Sequence, residues 1–71
     1  MSSQANLGNL MKLKDKHILL VEDDAWIRDA MSFSLGCEGC RVTTAESAQE
    51  GLRVLRQGGV DILICDYQLP D

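Results

Sequence analysis

Three acidic residues stand directly after two short apolar runs. Glu22 and Asp23 follow residues 17–21, which read HILLV, and Asp66 follows residues 62–65, which read ILIC. Short aliphatic runs of this kind predict strands that are buried on both faces. Open α/β sheets bind ligands outside the carboxyl ends of their strands. If the two strands are neighbours, about 4.8 Å apart, their carboxylates meet in one small volume.

Carboxylates brought together in this way need a compensating charge. Two like charges about 5 Å apart repel by roughly 3 kcal/mol at an effective dielectric constant near 20. Either one carboxylate keeps a proton, or a cation binds. A hard divalent cation suits oxygen ligands, and Mg²⁺ binds through one or two carboxylates together with waters and phosphate oxygens. We expect Mg²⁺ here, with ligands from Glu22, Asp23, Asp66 and the backbone carbonyl of Gln68.

Such an ion would allow a carboxylate to attack phosphorus. Asp66 is the candidate nucleophile, because it stands alone at the end of its strand and faces the acidic pair. Formation of an aspartyl phosphate is known nucleophilic chemistry.

Three strands and two helices are needed to position these acids. We predict strands over residues 16–21, 41–44 and 61–65, with a helix in each interval. The order strand, helix, strand, helix, strand predicts an α/β fold with parallel strands joined by right-handed crossovers.

The helix ends are marked by capping residues. Asp24 is a suitable N-cap for the first helix, and Gly36 predicts its end because glycine tolerates the left-handed conformation. Ser47 and Glu50 have the spacing of a capping box at the start of the second helix. The glycines at residues 58–59 predict its end.

Length, composition and charge exclude several classes of protein. The chain has 71 residues, 45% of them hydrophobic and 25% charged, which is typical of one small globular domain. The net charge of -4 argues against a nucleic-acid interface. No run approaches the ~18 apolar residues of a membrane span, and the first ten residues lack the apolar core of a signal peptide. We expect a cytoplasmic protein, and an odd number of cysteines fits a reducing compartment.

Two further features have alternative interpretations. Cys37 and Cys40 form a C-x-x-C pair, which zinc or redox sites use. With no second pair and with His17 distant in the sequence, incidental cysteines are the favoured interpretation. Trp26, close after the acids, could cover the rim of the acidic site or pack in the core.

The segments 18–24 (ILLVEDD) and 61–71 (DILICDYQLPD), in this order and spacing, resemble the receiver domain of two-component response regulators. The resemblance covers residues 15–71 and leaves residues 1–14 as a flexible lead-in. It implies a flavodoxin-like doubly wound parallel sheet with strand order 2-1-3-4-5. It also implies that Asp66 accepts a phosphoryl group from a histidine kinase or phosphotransfer protein. Asp23 would then bind Mg²⁺ directly, Glu22 would assist through water, and the carbonyl of Gln68 would coordinate.

A receiver domain normally has five strands and five helices, with a Ser or Thr ending strand four and a Lys ending strand five. Residues 15–71 match only strands one to three and helices one and two. We therefore expect a truncated receiver domain that lacks the switch residues, with its output module outside this chain. An exposed third strand would favour self-association. Such a domain catalyses only its own phosphorylation and dephosphorylation and is not a turnover enzyme.

Two other functions stay open. A Mg²⁺-dependent phosphohydrolase with an Asp nucleophile usually carries a second Asp two residues later, where this chain has Gln68. A pseudo-receiver that is never phosphorylated would serve only as an assembly surface. A dinucleotide-binding domain is disfavoured, because no G-x-G-x-x-G follows the first strand.

Overall fold

The computed structural model describes residues 13–66. Its elements, in chain order, are β1 (His17–Glu22), α1 (Ala25–Cys37), β2 (Arg41–Ala45), α2 (Ala48–Gln57) and β3 (Ile62–Asp66). Within this range neither helix has the length and apolar character needed to cross a membrane. The predicted lead-in lies almost wholly outside the described residues, so its boundary stays a prediction.

The three strands form one parallel sheet in the order β2-β1-β3. Ile18 of β1 lies opposite Val42 on one side and Ile62 on the other. The topology confirms the predicted β-α-β-α-β portion of a doubly wound sheet. The strand limits differ by one residue from the prediction at several ends, so that Glu22 and Asp66 are the last residues of β1 and β3.

The core is built on β1, which is buried because it is the central strand and has a helix on each face. Ile18, Leu19, Leu20 and Val21 are all buried. Leu19 and Val21 pack with Ala45, and two partly buried valines of the α2 side complete this cluster, Val54 and Val60. Since side chains alternate along a strand, Ile18, Leu20 and Glu22 project toward the other face, where α1 packs.

The predicted start of α1 is confirmed and its predicted end is wrong. Asp24 is the N-cap, and its Oδ1 accepts a hydrogen bond of 3.0 Å from the N–H of Ile27. The helix continues past Gly36 to Cys37, with Glu38 as C-cap. The left-handed residue is Gly39, with φ of 86°, and its N–H donates to the Gly36 carbonyl.

Both predicted ends of α2 are confirmed. Ser47 Oγ accepts a hydrogen bond of 3.1 Å from the N–H of Glu50, and Glu50 Oε1 accepts one of 2.8 Å from the N–H of Glu46. Gly58 is the C-cap, with φ of 85°. The helix lies close to the sheet at Gly51, where a Cβ would be only 2.9 Å from Cγ2 of Val21.

His17 joins the amino ends of the strands. Its Nδ1 lies 2.9 Å from the Gly59 carbonyl, and its Nε2 lies 2.7 Å from Oγ1 of Thr43. Because a carbonyl only accepts, Nδ1 carries the proton of the first of these bonds. The N–H of His17 donates to Oδ2 of Asp61, and its carbonyl accepts from the N–H of Asp61, both at 2.8 Å.

Candidate functional site

Glu22 and Asp66 meet at the carboxyl end of the sheet. They are register partners as the last residues of β1 and β3. Because partner residues of parallel strands point to the same face, and the strands are about 4.8 Å apart, the two carboxylates are brought to the same place. Glu22 is only 3% exposed, whereas Asp66 is exposed to solvent.

The turn between β1 and α1 adds two more acids to this end of the sheet. Asp23 and Asp24 are exposed. An open pocket of about 330 Å³ is lined by four acidic residues and one apolar residue: Glu22, Asp23, Asp24, Asp66 and Ile27. The structure thus places three of the four predicted ligands around one pocket. The fourth, the carbonyl of Gln68, lies outside the described residues.

Glu22 is only half satisfied by its surroundings. Its Oε2 accepts a hydrogen bond of 3.0 Å from the backbone N–H of Asp24. Its Oε1 is buried and has no hydrogen-bond partner among residues 13–66. A buried carboxylate oxygen without a donor costs free energy, and a proton or a cation would remove that cost.

The pKa of the Glu22 carboxyl is raised above its ordinary value of 4.5. The largest single influence, the hydrogen bond from the Asp24 backbone, acts to lower this pKa. Burial and the neighbouring side chains of Asp23 and Asp66 raise the pKa by more. The pocket therefore holds more negative charge than its own donors compensate.

Arg28, a residue that the sequence interpretation missed, supports the same end of β1. Its Nη1 donates a hydrogen bond of 2.9 Å to the backbone carbonyl of Glu22. Its Nη2 lies 3.9 Å from Oε2 of Glu46. The sequence signal was weak, since an arginine one turn after the N-cap of a helix ordinarily points to solvent.

The donor chemistry of the pocket fits Mg²⁺. Glu22, Asp23 and Asp66 offer only oxygen atoms, and Mg²⁺ needs only one or two carboxylates because waters complete its octahedron. In the described part of the chain, no three His, Cys, Asp or Glu side chains are grouped closely enough to enclose a metal ion by themselves. The expected Mg²⁺ site stays a prediction.

The other candidate residues are not among those that line the pocket. Cys37 and Cys40 are free thiols, and Cys37 is exposed. Trp26 is 81% exposed and lines a separate shallow groove with Asp29, Ala30 and Phe33. The core position expected for Trp26 is therefore wrong, and its expected place at the rim of the site stays a prediction. The tryptophan points outward because it lies on the face of α1 that turns away from the sheet.

Comparisons with known proteins agree on one family. The sequence matches the family described as response regulator receiver domain over residues 18–71. It is 45% identical to the transcriptional regulatory protein AfsQ1 of Streptomyces coelicolor over 53 residues, which are 75% of this chain and 24% of that protein. It is 43% identical to the transcriptional regulatory protein GlrR of Escherichia coli K12 over 61 residues, 86% of this chain and 14% of that protein.

The regulatory protein VirG of Agrobacterium tumefaciens is 34% identical over 71 residues, 96% of this chain and 27% of that protein. The chain thus spans between 14% and 27% of the length of these curated relatives. No solved structure matches the chain.

Proposed function

The chain belongs to the response regulator receiver domain family, and on that premise we propose that it accepts a phosphoryl group on Asp66 with the help of Mg²⁺. The observation that supports this most directly is the register pairing of Glu22 with Asp66 at the carboxyl end of the sheet. It brings a buried acid, one of whose oxygens has no partner in the described part of the chain, beside an exposed acid in one open pocket.

Asp66 has the properties that a phosphoacceptor needs. Its side chain is exposed at the end of β3, where a phosphohistidine of a histidine kinase or phosphotransfer protein can reach it. A carboxylate oxygen of Asp66 attacks phosphorus, the P–N bond breaks, and its electron pair returns to the imidazole nitrogen. The product is an acyl phosphate on Asp66 and a free histidine.

Glu22 and Asp23 serve the cation. Asp23 is exposed in the turn and is the proposed direct ligand, while Glu22 is buried behind it and assists through water. The carbonyl of Gln68 is proposed as a further ligand. When bound, Mg²⁺ neutralises charge on the transferring phosphoryl oxygens.

The proposed partners follow from this chemistry. A histidine kinase or phosphotransfer protein supplies the phosphoryl group, and an output module outside this chain receives the signal. Two of the relatives described above are named as transcriptional regulatory proteins, which favours a transcriptional output. Self-association through β3, an edge strand of the described sheet on which Leu63 is 49% exposed, is a further proposal. The cytoplasmic location stays a prediction.

Phosphorylation by a small phosphodonor tests the proposal. The chain is incubated with acetyl phosphate and Mg²⁺, and intact mass spectrometry detects the added phosphoryl group. We expect one acid-stable, base-labile adduct that is absent in Asp66→Asn and absent when EDTA replaces Mg²⁺. Asp29→Asn is the matched control, since Asp29 is an exposed aspartate on α1 outside the acidic pocket.

An adduct that persists in Asp66→Asn would place the phosphoryl group elsewhere and refute the assignment. A folded wild-type chain with no adduct would favour the assembly-surface alternative. Continuous release of phosphate at many turnovers per chain would instead favour the phosphohydrolase.

A further inference from the structure

Arg28 lies beside the acidic pocket without lining it. Its side chain is only 17% exposed, and Nη1 donates a hydrogen bond of 2.9 Å to the Glu22 carbonyl. We propose that Arg28 is a positioning residue that holds the end of β1, so that Glu22 and Asp23 face Asp66. The inference rests on the proposed function of that pocket.

The hydrogen bond acts at the point where the chain leaves the sheet. Glu22 is the last residue of β1, and the two residues that follow it form the turn into α1. Because the peptide bond is planar, the direction of the Glu22 carbonyl sets the orientation of the peptide group that joins Glu22 to Asp23. The Arg28 guanidinium, held on α1, therefore fixes the position of the Asp23 backbone from which the Asp23 side chain extends.

Other hydrogen bonds hold the second half of the same turn. The N–H of Asp24 donates to Oε2 of Glu22, and Oδ1 of Asp24 accepts from the N–H of Ile27. The Asp24 carbonyl accepts from the backbone N–H of Arg28 at 2.8 Å. Arg28 thus contacts both ends of the turn, through its side chain at Glu22 and through its backbone at Asp24.

The hydrogen bond, rather than the ion pair, carries the effect. Nη2 of Arg28 lies 3.9 Å from Oε2 of Glu46, whose side chain is 69% exposed. An ion pair this long with an exposed partner contributes little. A charged donor to a partly buried carbonyl makes a strong hydrogen bond.

Four variants of the full chain separate these contributions. Arg28→Ala removes both side-chain contacts, the hydrogen bond to the Glu22 carbonyl and the ion pair with Glu46. Arg28→Lys keeps a cation that can donate to the Glu22 carbonyl. Glu46→Gln removes only the charge of the ion-pair partner. Arg53→Ala removes an exposed arginine from α2 and serves as the matched control for loss of one positive charge.

Two measurements are made on each variant. Hydrogen exchange by NMR, without metal, follows the amides of Asp24 in the turn, of Ile27 in the first turn of α1, and of Glu50 at the start of α2. Calorimetric titration with Mg²⁺ alone gives the dissociation constant. In Arg28→Ala we expect about tenfold faster exchange at Asp24 and Ile27, unchanged exchange at Glu50, and about tenfold weaker Mg²⁺ binding.

Arg28→Lys should restore most of the slow exchange and most of the Mg²⁺ affinity. In Glu46→Gln and Arg53→Ala, the exchange rates and the Mg²⁺ dissociation constant should stay within about twofold of wild type. Equal acceleration at Glu50 would mean that Arg28 only stabilises the fold, and would overturn the inference. So would unchanged exchange at Asp24, or a loss in Glu46→Gln as large as in Arg28→Ala. If wild type bound no Mg²⁺ while the exchange pattern held, the metal proposal would fail and the positioning role would stand.

Discussion

The two ends of the parallel sheet differ in how their polar groups are satisfied. At the amino end, both ring nitrogens of His17 have partners, Thr43 and the Gly59 carbonyl. Its backbone N–H is paired with Asp61 as well. At the carboxyl end, Glu22 is equally part of β1, yet Oε1 has no partner within residues 13–66 and faces another acid, Asp66.

This difference is what we expect if the amino end only stabilises the fold and the carboxyl end holds the proposed phosphorylation site. Satisfied hydrogen bonds between strands stabilise the fold and bind nothing further. Converging carboxylates with an unpartnered oxygen destabilise the fold until a proton or cation compensates them, and such local conflicts mark functional sites. The comparison predicts that mutations at the amino end cost stability and that charge removal at the carboxyl end increases it.

The largest effect on stability is expected for His17→Ala. The substitution removes two side-chain hydrogen bonds, a partly buried one that links β1 to Thr43 of β2 and an exposed one to the Gly59 carbonyl in the loop before β3. The free energy of unfolding should fall by about 1–2 kcal/mol, since loss of the partly buried bond also leaves the Thr43 hydroxyl without its partner, whereas water can replace the exposed bond. Urea denaturation followed by circular dichroism measures it.

Lys16→Ala, a change at the exposed neighbour of His17, is the control and should alter the free energy of unfolding by less than about 0.5 kcal/mol. Equal effects of the two substitutions would contradict the prediction that the contacts of His17 at the amino end of the sheet stabilise the fold. They would mean that the ring of His17 does not join the strands.

A smaller effect of opposite sign is expected for Asp66→Asn without metal. The substitution removes the charge that faces Glu22, and the free energy of unfolding should rise by about 0.5–1 kcal/mol because Asp66 is exposed and solvent screens the repulsion. Asp29→Asn, on the outward side of α1, should change it by less. Destabilisation by Asp66→Asn would contradict the view that these acids strain the carboxyl end.

Features encoded in short stretches of sequence were predictable. The apolar run of β1, the N-cap Asp24 and the pair Ser47–Glu50 depend on neighbours within a few residues, and all three are confirmed. The alternation of strands and helices predicted parallel strands, and the resemblance to receiver domains implied the strand order that places Glu22 beside Asp66.

Features that depend on distant contacts were not predictable. The partners of His17 are 26 to 44 residues away along the chain, and the bond from Arg28 to the Glu22 carbonyl depends on how closely α1 approaches the sheet. The end of α1 was misplaced because Gly36 and Gly39 both suit a helix end, and only packing selects the second. Trp26 was misplaced because periodicity alone does not fix which face of α1 meets the sheet.

The smallest expected effect is the pH dependence that Glu22 contributes in the absence of metal. Because its folded pKa lies above 4.5, the folded state holds the proton more tightly than the unfolded state. Its contribution to stability is complete below pH 4.5 and is lost as the pH rises through the folded pKa. Glu22→Gln should flatten this part of the curve of unfolding free energy against pH, while Glu46→Gln, at an exposed site, should leave it unchanged. An unflattened curve in Glu22→Gln would show that the Glu22 carboxylate, with Oε1 unpartnered within residues 13–66, does not distinguish the carboxyl end of the sheet from the amino end.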